Sequence, residues 1–296
     1  MFKIQFKLVT DNLGYIIHQN YIFQIKMKYW IISNNKNLVN YFLKSGVNRI
    51  FLDLEKLGKN KRQKGKNLWI SDHKKTDIKS LRKIVPEGQL LVRLNPWNQN
   101  SFEEIDYAIE NGADFLMLPM IMNLDEIKKF CDHINFRAKV VPLIETSESI
   151  KFLEKITEIK NIEEIYIGLN DLKLSMGYKF LFEPLINGLL DDSAEILNEK
   201  NLSWGFGGIA RINEGIIPPE LILNEHIRLN SKNVILSRSF HYCAKDLKTL
   251  NLKFNFAEEL NQISNLYSKN KKNSRIEQQE KHNILKILIK KQIEIN

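Results

Sequence analysis

The feature that most constrains this chain is a repeated alternation. A short, almost wholly apolar run is followed by a turn and a segment of helical period, and the pattern then starts again. The apolar runs are Tyr29–Ser33, Arg49–Leu54, Gln89–Leu94, Phe115–Leu118, Lys139–Ile144, Glu164–Ile167, Ser203–Phe206 and Asn233–Leu236. Stretches such as Leu90-Leu91-Val92 and Val140-Val141 leave no polar face, the pattern of strands covered on both sides by helices in a parallel sheet. Eight such units in 296 residues predict α/β architecture closed into a (β/α)8 TIM barrel, which needs about 250 residues. An open doubly wound sheet is the alternative, but no GxGxxG follows the first strand.

Helices are expected over Lys36–Ser45, Thr76–Ile84, Ser101–Asn111, Leu124–Ile134, Ser147–Ile159, Leu189–Lys200, Pro218–Asn230 and Phe256–Tyr267. Ser101 with Glu104 has the spacing of a capping box, and Gly46 and Gly112 stand where a left-handed C′ residue closes a helix. The chain then divides into an N-terminal extension (1–27), a barrel (28–268) and a basic helical tail (269–296). The tail ends in Ile284-Leu285-Lys286-Ile287-Leu288-Ile289, an amphipathic helix expected to dock on its own barrel or on a sister subunit.

Net charge is +9 and the pI about 9.3. The excess is concentrated in the tail and in the run Lys56–Lys66, without a nucleic-acid-binding motif, and reads as solvated charge or as a preference for small anionic ligands. Two cysteines, Cys131 and Cys243, with no CxxC, argue against a disulfide framework and a thiolate metal site. No apolar run reaches the roughly 18 residues of a membrane span, and the N-terminus lacks a signal-peptide apolar region, so a cytoplasmic location is expected.

In such barrels chemistry sits at the C-terminal ends of the strands. Those ends carry Asp53 and Glu55, Arg93, Glu145, Asn170 and Asp171, Gly207 and Gly208 with Arg211, and Ser237 with Arg238. Converging carboxylates make an oxygen site suited to Mg2+ or Mn2+, with Glu145 and Asp171 as direct ligands. Pairing with a neighbouring arginine, or helix capping by Asp171, would equally account for these acids. Arg93 can fork onto a carboxylate or steady a developing enolate, and a bridge to Asp53 or Glu55 could orient it. Gly207, Gly208, Arg211, Ser237 and Arg238 have the placement of an anion site after strands seven and eight. His73 is a candidate general base, against a plain surface histidine; His226 reads as structural.

The segments Phe51-Leu52-Asp53-Leu54-Glu55, Leu91-Val92-Arg93, Gly112-Ala113-Asp114 through Leu118-Pro119-Met120, Leu143-Ile144-Glu145-Thr146 and Ile167-Gly168-Leu169-Asn170-Asp171-Leu172 stand in order along the chain. In these the sequence resembles the HpcH/HpaI aldolase and citrate lyase β-subunit family, from about Tyr29 to Phe240. The resemblance implies a barrel, a divalent metal on Glu145 and Asp171, a substrate-binding arginine at Arg93, an acidic pair at Asp53 and Glu55, and homo-oligomers. It implies carbon–carbon lyase or aldolase chemistry on a pyruvate-like α-keto acid or another anionic, or phosphorylated, substrate. A citryl- or malyl-thioester lyase, or a ligand-binding barrel without catalysis, are the alternatives. One departure stands out. Aldolase members carry a histidine directly after the strand-two glutamate, and here that place is Lys56, assigned with the basic loop to substrate binding.

Overall fold

The computed structural model describes residues 26–59, 71–242 and 244–295. The N-terminal extension up to residue 25, most of the Lys56–Lys66 run and Cys243 lie outside them. Eight parallel strands close into a barrel in sequence order: β1 (Lys28–Ile32), β2 (Arg49–Asp53), β3 (Leu90–Arg93), β4 (Phe115–Leu118), β5 (Lys139–Ile144), β6 (Glu164–Ile167), β7 (Ser203–Ile209) and β8 (Asn233–Leu236). β8 pairs with β1, so no edge is left open.

The helices on the outside are α1 (Lys36–Lys44), α2 (Asp77–Arg82), α3 (Ser101–Glu110), α4 (Leu124–Ile134), α5 (Ser147–Lys151), α6 (Leu153–Thr157), α7 (Leu169–Met176), α8 (Leu189–Glu199), α9 (Pro219–Arg228), α10 (Leu247–Asn251), α11 (Phe256–Asn270) and α12 (Arg275–Ile295). Their apolar faces and the outward strand residues form one continuous layer. A second cluster fills the barrel itself: Trp30, Phe51, Leu91, Phe115, Met117, Val141, Leu143 and Tyr166. Alternation of side chains along a strand selects this inner set.

Three local expectations changed. No capping box forms at Ser101 and Glu104: the Ser101 hydroxyl accepts from the Asn98 N–H (2.8 Å), and Glu104 instead accepts from the Asn95 side-chain amide (2.9 Å). The expected helix 147–159 breaks at Phe152 into α5 and α6. β7 runs on to Ile209, with an irregularity between Gly205 and Gly208 in its pairing to β8. The buried Tyr166 hydroxyl fills that gap. It donates to the Gly207 carbonyl (2.6 Å) and accepts from the Ile235 N–H (2.9 Å), replacing ladder bonds the bulge removes. Gly207 itself has φ +54°, a conformation that excludes most side chains.

α12 docks on its own barrel through α9. Leu285 and Ile289 are buried, Lys281 pairs with Glu220 (2.6 Å), and His282 contacts Glu225 (3.1 Å). No helix among the described residues is long and apolar enough to cross a membrane.

Candidate active site

A cavity of about 580 Å³ opens at the C-terminal ends of the strands. β2 and β3 bring their last residues into register, Asp53 opposite Arg93, on one face of the sheet. Arg93 grips Asp53 through two bonds, Nε to Oδ1 at 2.9 Å and a terminal nitrogen to Oδ2 at 2.8 Å. This forked geometry fixes the plane of the guanidinium as well as its position. Lys59 reaches the same carboxylate (2.8 Å) and, like Arg93, approaches Glu55 Oε2, at 3.5 and 3.4 Å respectively. All four groups are largely withdrawn from water.

Burial alone would raise the Asp53 carboxyl. The charges of Arg93 and Lys59 overcome burial and hold it well below the usual carboxylate range, so Asp53 is anionic at neutral pH. Arg93 is correspondingly held in its charged form by Asp53 and Glu55 against burial.

Glu145, at the end of β5, is in the opposite condition. Burial, then the negative charges of Asp171 and Glu55, push its carboxyl up to about 8, and Arg93 offsets only part of this. Its Oε1 accepts from the Met120 N–H (3.1 Å), presented by a backbone with φ +52° at the end of β4. On the other side β6 is followed directly by Gly168, where a Cβ would come within 2.8 Å of Glu145 Oε2. Glycine is therefore needed for the close approach. Asp171 stands in the first turn of α7, whose N-cap is Gly168, so it does not cap that helix.

The loop after β2 contributes further. The Asp53 N–H donates to Nδ1 of His73 (3.0 Å), and the Ser71 hydroxyl donates to the Asp53 carbonyl (2.8 Å). With Nδ1 accepting, the neutral ring carries its proton on Nε2. Burial lowers the His73 pKa, which favours this neutral form. His241, from the loop after β8, also lines the cavity and is pushed down to about 4, first by burial and then by Arg238 and His73.

Asp53, His73, Arg93, Glu145, Asn170, Asp171, Gly207, Gly208, Ser237 and Arg238 all line the cavity, while Glu55 does not line it but is buried against Lys59 and Arg93. Lys56 and Arg211 do not line it. Lys56 is exposed, and its N–H donates to the Asn95 side chain (2.8 Å). Arg211 is turned outward into a clamp with Glu214 (3.0 Å), Glu259 (3.3 Å) and the Ser239 carbonyl (2.9 Å), stacked over Phe254 at 3.9 Å. His226 is buried, with Nδ1 against the Ser231 hydroxyl (2.9 Å) and its ring stacked on Phe206. Sequence reasoning missed Lys59, Ser71, Tyr166 and His241. The i,i+4 spacing of Glu55 and Lys59 was the one available signal for the lysine.

Among the described residues no three His, Cys, Asp or Glu side chains stand close enough together to hold a metal by themselves. A Mg2+ site does not require three. This ion binds through one or two carboxylates and completes its octahedron with water and substrate oxygens. Glu145 and Asp171 meet that requirement with oxygen donors, and the Glu145 carboxyl, raised first by burial and then by the negative charges of Asp171 and Glu55, is one whose charged form a bound cation would favour.

An α/β barrel with carboxylates and a pinned arginine at its mouth defines a class of enzyme scaffold, and comparison narrows it. The family model for HpcH/HpaI aldolase/citrate lyase matches residues 26–181, and the chain belongs to that family. The fold is shared with a HpcH/HpaI aldolase/citrate lyase family protein from Burkholderia cenocepacia (TM-score 0.56, 13% identity, 77% of this chain and 91% of that one). It is also shared with the citrate lyase β subunit of M. tuberculosis, solved with oxaloacetate and magnesium (0.54, 11%, 82% and 97%). A third example is the protein CitE from Mycobacterium tuberculosis, in complex with magnesium, acetoacetate and coenzyme A (0.53, 11%, 77% and 81%). No curated protein matches the sequence significantly.

Proposed function

We propose that the chain is a metal-dependent carbon–carbon lyase that acts on an α-keto acid or a related small anion at the mouth of the barrel. The observation that carries this is the contrast within one cavity between Asp53, neutralised by Arg93 and Lys59, and Glu145, whose carboxyl is raised first by burial and then by the negative charges of Asp171 and Glu55. Family membership and the magnesium and oxaloacetate of one structural neighbour support it. Glu145 and Asp171 would hold Mg2+ or Mn2+. When bound, the ion supplies Lewis-acid polarisation of a substrate carbonyl.

The rest falls to the chain's own side chains. Arg93 would bind the substrate carboxylate or the oxygen that gains charge as the carbon–carbon bond breaks. Its position costs no reorganisation, because Asp53 fixes it beforehand. Lys59 and Glu55 keep Asp53 in place and keep the cluster dry. Neutral His73 would offer the Nε2 proton to a substrate oxygen, a donor's task rather than a base's. Ser237 and Arg238, with the Gly207–Gly208 bulge, would meet the far end of the substrate.

Calorimetric titration of the chelator-treated protein with Mg2+ or Mn2+, with and without oxaloacetate or pyruvate, tests the proposal. The expected result is metal binding tightened by the keto acid and lost in Glu145→Gln/Asp171→Asn. Absence of metal binding in the wild-type protein would remove it.

A further inference from the structure

The loop after β8 brings a second histidine, His241, to the barrel mouth. Ser237 opens a short turn, Arg238–Phe240, by accepting from the Ser239 N–H (3.3 Å). Phe240 is buried and packs edge-on against Phe256 (5.9 Å), which anchors the turn in the core. The His241 N–H then donates to the Arg238 carbonyl (3.1 Å), and the Ala244 N–H donates to the His241 carbonyl (2.7 Å). Between them Tyr242 takes a left-handed conformation, φ +44°. This bonded turn sets His241 in the cavity wall with Arg238 and with His73 of the loop after β2.

Aldol-type cleavage needs a proton acceptor at the carbon that leaves as a carbonyl, because the hydroxyl there gives up its proton as the bond breaks. Most titratable groups among the described residues of the cavity wall are otherwise engaged. Asp53 is held by Arg93 and Lys59. Glu145 and Asp171 are the proposed metal ligands. The Tyr166 hydroxyl is tied between Gly207 and Ile235. Asp72 and Lys245 are exposed to water. His73 accepts from the Asp53 N–H through Nδ1, so its neutral ring presents a proton on Nε2 and has no second lone pair to take one up. His241 remains. Its proton affinity is lowered first by burial and then by Arg238 and His73, so it meets the substrate neutral, with one ring nitrogen unprotonated. An anionic substrate end lying against Arg238 cancels part of that lowering, so binding strengthens the base that the reaction needs.

We propose that His241 is the general base of carbon–carbon cleavage, a role that rests on the reading of the barrel mouth as a lyase site. The substrate it serves is a keto acid with a hydroxyl on the second carbon beyond the keto group. The imidazole nitrogen takes the hydroxyl proton. The oxygen's electron pair becomes the carbonyl of the leaving aldehyde or ketone, the bond to the middle carbon breaks, and its electron pair passes into the keto group as an enolate. The middle carbon then regains a proton and the imidazolium gives one up, so no proton is gained or lost overall.

The full chain with Mg2+ and its His241→Gln variant are compared on two probes. One is the aldol adduct of pyruvate and acetaldehyde, whose cleavage requires the hydroxyl proton to be removed. The other is oxaloacetate, whose decarboxylation gives the same enolate with no hydroxyl to deprotonate. The ratio of cleavage to decarboxylation should fall by about 10²–10⁴-fold in His241→Gln. Because both reactions use one folded site, the ratio separates a lost base from a damaged fold. Imidazole added to His241→Gly should restore part of the cleavage. Nitrogen NMR of histidine-labelled protein, with His241 assigned from the variant, should show its ring neutral at neutral pH. An unchanged ratio, a charged His241 ring, or a wild-type protein that decarboxylates oxaloacetate without cleaving the adduct would each overturn the inference and leave the metal site standing. A wild-type protein that does neither, with no metal binding, would overturn the lyase reading together with it.

Discussion

The two ends of the barrel interior both carry buried charge, and they treat it differently. At the N-terminal end Arg49 and Glu164 form a buried ion pair, with a second Arg49 nitrogen 3.3 Å from Glu164 Oε1 and Lys28 adding a third contact at 3.1 Å. The guanidinium lies over Phe115 at 3.6 Å and Trp30 at 4.5 Å. Burial would raise the Glu164 carboxyl, but Arg49 and Lys28 hold it below its ordinary value. At the C-terminal end Asp53 is balanced in the same way, while Glu145 is raised to about 8. A single strand, β2, supplies a member to each end, with Arg49, Phe51 and Asp53 alternating inward. None of the closed cluster's residues Lys28, Arg49 and Glu164 lines the cavity. The open one has the cavity and an unbalanced carboxylate. Charge burial alone therefore does not mark a functional site; incomplete compensation next to open space does.

The largest expected effect is on stability at the closed end. Arg49→Met leaves Glu164 with only the half-exposed Lys28 as a charged partner and should cost about 3–5 kcal/mol, read as a lowered midpoint of urea unfolding, while Arg49→Met/Glu164→Met should recover most of it. If the single variant were nearly neutral, the pair would not be compensated as described. At the mouth the order is reversed. Arg93→Lys keeps the charge but loses the fork, so the transition state should lose about 3–4 kcal/mol in kcat/KM with a much smaller change in unfolding midpoint. A stability loss as large as that of Arg49→Met would make Arg93 a structural residue, and the two ends would be alike.

Gly168→Ala is the next test. Its Cβ would meet Glu145 Oε2 at 2.8 Å, a distance that forces the carboxylate or the strand to move. The expected cost is about 1–3 kcal/mol of stability. Metal affinity measured by calorimetry should fall with it. Unchanged affinity would mean that Glu145 does not hold the ion.

How much of this contrast could be read beforehand follows from where each signal lies. The barrel was legible because strands buried on both faces have no polar side, as in Leu90–Val92, and because glycines mark helix ends at Gly46 and Gly112. The mouth residues Asp53, Arg93, Glu145 and Asp171 were legible because strand ends project into one place. Arg211 followed the same rule and does not obey it, since the bulge at Gly205–Gly208 shifts the register and the arginine finds Glu214 and Glu259 instead. Lys59 was hidden in a run of lysines that looks solvated; only the fold brings one of them onto Asp53. The Arg49–Glu164 pair is separated by 115 residues and has no local pattern at all.

The smallest expected effect is a pair of opposite slopes of stability against pH. Glu164 titrates lower in the folded protein than in the unfolded chain, so the unfolded chain takes up its proton first on acidification. Its contribution is present above the ordinary glutamate range and is lost as pH falls through the depressed folded value. Glu145 is the reverse. Its folded carboxyl titrates at about 8 against an ordinary 4.5, so its contribution is complete below about 4.5 and is lost as pH rises towards 8. Urea unfolding of the metal-free protein across that range should therefore show a decline on the alkaline side that Glu145→Gln removes and that saturating Mg2+ also removes. The Arg49→Met/Glu164→Met pair should flatten only the acid side. If Glu145→Gln left the alkaline slope intact, the excess negative charge at the mouth would lie elsewhere, and the distinction between the two ends would have to be drawn from another residue.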